Sequence, residues 1–159
     1  QMCIRDRHFI GPLQSNKVKE IAPFIHLIHS VDSLKLLQEI EKQAAKNDRV
    51  IRVLLEIHVA KEETKHGFSV EECRSLVDTL PELPHVSICG IMGMASLTTD
   101  ESQIREEFRQ LHGLFTELQS DKGDFSILSM GMSHDYPIAI EEGSTMIRVG
   151  TYIFGEREY

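Results

Sequence analysis

The sequence predicts an α/β fold of parallel strands and crossover helices: an incomplete (β/α)8 barrel with about six of its eight βα units. Three observations predict it. Apolar, β-branched runs alternate with stretches of helical periodicity along the whole chain. No two strand-like runs are joined by a tight hairpin, so consecutive strands need crossovers and run parallel. The last two strands both run out into glycine and hydroxyl residues, as the phosphate-binding loops of a barrel do. An open doubly wound sheet is the competing architecture, but its G-x-G-x-x-G turn is absent.

The elements follow in order. Phe9–Ile10 is a short apolar run closed by Gly11 and Pro12. A helical stretch spans 15–22, and residues 24–31 read as a strand. Asp32 or Ser33 caps the next helix, which carries Leu34, Leu37, Ile40 and Glu41 at helical spacing and runs to about Asn47. Residues 49–60 form a strand with Val53, Leu55, Ile57 and Val59 on one face and Leu54, Glu56, His58 and Ala60 on the other. Polar groups on the second face fit a strand that lines a site. A loop from Glu62 to Gly67 follows. Ser69 caps a helix with Cys73, Leu76, Val77 and Leu80 inward, stopped by Pro81 and Pro84. Residues 86–95 are a strand. Ile104, Phe108, Leu111, Phe115 and Leu118 mark the strongest helix, 101–119. A strand at 125–130, a short helix closed by Gly143 and a last strand at 145–150 complete the chain.

Bulk properties exclude several classes. The chain has 159 residues, enough for one domain with a substantial core. Its 25 acidic and 17 basic residues give a net charge of −8, which argues against a nucleic-acid or membrane-surface binder. No apolar run is long enough to span a membrane, and residues 1–7 are charged, unlike a signal peptide. Three cysteines without a motif suggest reduced thiols and a cytoplasmic location. His26 and His29, three apart in a strand, are expected on opposite faces, so no metal site is expected.

The chemistry concentrates at the end of the chain. Gly131 and Gly150 would let backbone N–H groups approach an anion, and Ser129, Ser133 and Thr151 offer hydroxyls. Arg148 shares a strand face with Gly150. An arginine inside a barrel needs a partner, either an inward acid such as Glu56 or a ligand. Lys17 and Lys65 are the cations that could reach the barrel mouth, Lys65 from the loop after the third strand.

The segments HFIGPLQSNK (8–17), EETKHGF (62–68), LSMGMSHDYPIAI (128–140) and GSTMIRVGTYIFGER (143–157) resemble the YggS/PROSC family of pyridoxal phosphate homeostasis proteins, and the resemblance runs from His8 to Tyr159. It implies a barrel like the N-terminal domain of alanine racemase. It also implies a non-catalytic carrier of pyridoxal 5′-phosphate (PLP) that buffers the cofactor or delivers it to PLP-dependent apo-enzymes. Matched by motif, Ser129 and Ser133 stand near the phosphate, Gly150 and Thr151 add to that site, Arg148 faces the pyridine nitrogen, and Lys65 is a secondary contact. In the family the lysine that anchors the cofactor covalently lies on a first strand for which this chain has no counterpart. Residues 1–7 read as a non-family segment and 8–159 as a partial barrel domain. His58 stands where the family usually has asparagine. Two other functions compete. A PLP-dependent racemase or decarboxylase would need a further β domain. A barrel enzyme acting on a phosphorylated metabolite would use Glu56 and His58 as acid and base. A barrel short of its first two strands has two open edges, so oligomerisation or poor solubility is expected.

Overall fold

β-branched and aliphatic runs set the six strands, and amphipathic segments between them set the helices. The computed structural model describes residues 6–60, 66–119 and 124–156. Strand β1 (His8–Phe9) leads through a helical turn at Ser15–Lys17 into α1 (Val18–Ile21). Then come β2 (Leu27–Val31), α2 (Leu34–Lys46), β3 (Ile51–His58), α3 (Val70–Thr79), β4 (Val86–Met94) and α4 (Glu101–Gln119). The chain continues through β5 (Ile127–Met132), α5 (Tyr136–Glu141), β6 (Met146–Arg148) and α6 (Thr151–Phe154). All adjacent strands pair in parallel in the order β1-β2-β3-β4-β5-β6, the arrangement of a half-barrel.

The two sheet faces bury different groups. Val53, Leu55 and Ile57 of β3, with Ile91 and Leu128, pack under the helices against Leu37, Ile40, Phe108 and Leu111. Each such buried side chain contributes roughly 1.5–3 kcal/mol of apolar transfer energy. The other, concave face holds a smaller cluster of Leu27, Leu54, Cys89, Met92 and Ile127. The alternation expected along 49–60 is therefore present: Leu54 and its companions turn away from the helices.

Several boundaries differ from expectation. Strand β2 starts at Leu27 rather than 24, because the amides of Phe24 and Ile25 still bond to the Ile21 carbonyl and prolong the helical turn. Ser33, not Asp32, caps α2, accepting from the Leu36 amide at 3.3 Å. Leu36 is buried there while Leu34 faces solvent. Ser69 caps α3 with a full capping box, its hydroxyl taking the Glu72 amide and the Glu72 carboxylate taking the Ser69 amide.

Strand β5 runs on to Met132, so Ser129, Met130 and Gly131 lie in the strand rather than in a loop beyond it. Gly131 has φ +96° at a register shift between β5 and β6. A Cβ there would stand 2.6 Å from that of Ala139. Gly131 is thus required by the close packing of α5 on a bulged strand. Gly90 performs a similar service in β4: with φ +156° and the Ile127 carbonyl pressed against it, only glycine fits the bulge.

Candidate functional site

Arg148 ends β6 on the concave face, 9% exposed. Its Nη1 donates to the Ser129 carbonyl and to Ser129 Oγ, both at 2.8 Å, and its Nη2 donates to the Gly93 carbonyl at 3.0 Å. Burial pushes the guanidinium down to about 10, while the negative charge of Asp135 and Glu56 works in the opposite sense. A guanidinium has five N–H donors, and these three bonds leave at least two for something else. The ion pair with Glu56, one of the two alternatives the sequence leaves open for Arg148, is not made; Glu56 influences Arg148 only through space.

Glu56 is itself buried on β3, at 6% exposure. Burial raises its carboxyl above the ordinary range, the nearby Asp32 raises it further, and His66 and Arg148 pull it back. The concave face thus holds a buried arginine and, without contact between them, an acid whose carboxyl is raised by burial.

Ser129 is fully buried under Arg148. Its hydroxyl also lies 3.1 Å from His29 Nδ1, and His29 Nε2 lies 3.0 Å from His8 Nδ1. The hydroxyl is thereby engaged inside the half-barrel, which corrects the expectation that it opens onto a loop. Ser133 comes after β5, and its Oγ accepts from the Tyr152 amide at 3.2 Å. That bond joins the end of β5 to the start of α6. Gly150 and Thr151 stand exposed at the same junction, and nothing lies within 4 Å of a Cβ built on Gly150. Ser133, Gly150 and Thr151 therefore gather at the C-terminal ends of β5 and β6, with open space at Gly150. Lys65 lies outside the described residues. Lys17 sits in the first helical turn and pairs with Glu20 at 3.0 Å.

His26 precedes β2, so strand alternation does not separate it from His29. The rings of His8 and His26 stack with centroids 5.7 Å apart, and His8 lies 5.2 Å from His29. Among the described residues, no group of three or more histidine, cysteine, aspartate or glutamate side chains is placed to hold a metal ion. None of the described helices is long and apolar enough to cross a membrane. Sequence reasoning missed His29. Its one available signal is its place on an alternating strand, which does not show that Ser129 lies across the sheet from it.

A half-barrel of six parallel strands with crossover helices is the architecture of the alanine racemase N-terminal domain. The model of that domain family matches residues 4–158. Pyridoxal phosphate homeostasis proteins of Aquifex aeolicus and Pasteurella multocida are 46% and 38% identical over 153 and 154 residues, each covering 96% of this chain. The chain spans about two thirds of their length, 67% and 66%. PipY of Synechococcus elongatus, solved without and with PLP, superposes with TM-scores of 0.87 and 0.83 at 34% and 33% identity. Those matches cover 94% of this chain and 71% and 70% of PipY. An alanine racemase of Clostridium difficile, at 15% identity and a TM-score of 0.71, shares the fold. The chain belongs to the YggS/PROSC family of pyridoxal phosphate homeostasis proteins.

Proposed function

We propose that the chain binds PLP at the C-terminal ends of β5 and β6 and serves cofactor homeostasis in the cytoplasm, buffering PLP or delivering it to apo-enzymes without turnover. The observation that carries this reading is Arg148, held inward by Ser129 and Gly93 with donors to spare. The residues fit the cofactor. Arginine has no acceptor, so a heteroaromatic nitrogen facing it must itself accept and stay unprotonated. Bound PLP supplies an electron-withdrawing ring and an aldehyde, and the withdrawing power falls when the ring nitrogen carries no proton. Arg148 therefore favours holding over carbanion chemistry. Ser133, Gly150 and Thr151 supply a hydroxyl pair and an unobstructed backbone for the phosphate. Relatives named for PLP homeostasis, and PipY solved with PLP bound, support the reading.

No described lysine lies on a strand; Lys17, Lys19, Lys35, Lys42 and Lys46 are all in helical segments. We therefore take non-covalent binding as the reading for the described residues; Lys65, outside them, stays a proposed secondary contact. The test is titration of the 159-residue chain with PLP, followed by absorbance and by borohydride reduction. Saturable binding without a single-site reduced adduct is expected. Arg148→Ala should weaken binding about tenfold or more, the value of a charge-assisted hydrogen bond or two. Equal affinity in wild type and Arg148→Ala would overturn the assignment.

A further inference from the structure

Arg148 does not hold its position alone; a line of hydrogen bonds runs from it across three strands to the far edge of the sheet. The line is Arg148 on β6, Ser129 on β5, His29 on β2 and His8 on β1. It spans the concave face between strands that are not sheet neighbours: β5 and β2 are separated by β3 and β4.

The direction of each bond can be worked out. Arg148 Nη1 can only donate, so Ser129 Oγ accepts from it. The Ser129 hydroxyl hydrogen must then find an acceptor, because the residue is fully buried and an unused buried O–H is costly. His29 Nδ1, at 3.1 Å, is the remaining ring partner of that hydroxyl, so Nδ1 accepts and carries no proton. His29 is 1% exposed, and burial favours its neutral form, so its single proton sits on Nε2 and is donated to His8 Nδ1 at 3.0 Å. The opposite direction would have His29 donate to a serine that already accepts from Arg148, stranding the hydroxyl hydrogen. One tautomer of His29 thus satisfies the whole line.

We propose that His29 is a positioning residue for Arg148: its Nδ1 fixes the Ser129 hydroxyl, and that hydroxyl fixes the rotamer of the guanidinium that faces a bound pyridine ring. The identity of the ring rests on the PLP reading above, but the coupling between His29 and Arg148 does not. Charged and titratable groups around the line are Asp6 and His26 near His8, Arg52 beside His26, and Glu56 and Asp135 acting on Arg148. None of them replaces the acceptor that His29 offers to Ser129.

Three variants of the full chain test this: His29→Leu, which removes the acceptor; His29→Asn, whose amide oxygen can stand in for Nδ1; and Ser129→Ala, which removes the middle link with little change of volume. The first measurement is the 15N–1H spectrum of the arginine side chains without ligand, with Arg148 assigned by loss of its signal in Arg148→Lys. His29→Leu and Ser129→Ala should both shift or broaden the Arg148 signal, and His29→Asn should keep it. The second is PLP affinity together with the absorption maximum of the bound cofactor. His29→Leu should bind about tenfold more weakly with a displaced maximum, and His29→Asn should stay within about twofold of wild type. If the wild-type chain binds no PLP, the functional proposal fails and the spectrum still decides the positioning role. An Arg148 signal untouched by His29→Leu would overturn it, whatever Ser129→Ala does, as would His29→Asn behaving like His29→Leu. If His29→Leu proves unfolded, His29→Phe, which keeps a ring but offers no acceptor, carries the same decision.

Discussion

At the scale of single residues, burial decides what each polar group on the concave face can do. His29 is pushed down to about 4 from an ordinary 6.5 by burial, with His8 and Arg148 adding like charge. Between those two values the unfolded chain binds a proton that the folded chain refuses. Stability therefore rises with pH across this window and is lost as pH falls through it, by up to about 3 kcal/mol from this one group. Urea denaturation at a series of pH values should show the slope, and His29→Asn should flatten it. Gly131 makes a second residue-scale prediction. A side chain there meets Ala139 at 2.6 Å with the backbone at φ +96°. Gly131→Ala should cost about 1–3 kcal/mol in denaturant midpoint experiments, more than an ordinary exposed glycine would. The sequence marks Gly131 as special but does not show the contact with Ala139: a glycine after an apolar run looks the same whatever approaches it.

At the scale of elements, the capping and packing follow from local sequence. Ser69 and Glu72 form their reciprocal bonds at 3.1 and 2.8 Å at the start of α3. Ser69→Ala should therefore cost about 1 kcal/mol of stability, read from thermal or urea unfolding. Helix α4 illustrates how well a strong period is read: Ile104, Phe108, Leu111, Phe115 and Leu118, which the spacing marks, are all buried, and Leu114 joins them. The same helix holds a feature that spacing cannot show. Glu107 is buried and accepts from the Ser96 amide and hydroxyl at 2.7 and 2.8 Å, tying the end of β4 to α4. At the start of β2 the sequence misled, because Phe24 and Ile25 look like strand residues but finish a helical turn. That small shift concealed the placing of His26, His8 and His29 on one side.

At the scale of the whole molecule, the described sheet has an edge at β1 and another at β6, each paired on one side only. Beside the second edge, Tyr152, Ile153 and Phe154 of α6 are 64–86% exposed. Unpaired strand edges flanked by apolar side chains recruit other chains. The 159-residue chain is expected to self-associate, with light scattering after gel filtration giving masses above the 18.1 kDa monomer. A monodisperse monomer with one sharp cooperative melt would contradict this. The same geometry puts the binding reading at stake, because Arg148 lies at the end of the edge strand β6. Association through that edge should compete with PLP.

The sequence by itself determined the alternation of strands and helices, the faces of β3, the inward arginine and the family. Each is a matter of local periodicity or contiguous motif, and none depends on what lies across the sheet. Only the tertiary structure decided which groups meet: that Arg148 rests on Ser129 and Gly93 rather than on Glu56, that Ser129 faces His29 a hundred positions earlier, and that Ser133 joins Gly150 and Thr151. Parallel strands bring such residues together through register and sheet curvature. Those are set by burial over the whole sheet, and no short stretch of chain encodes them.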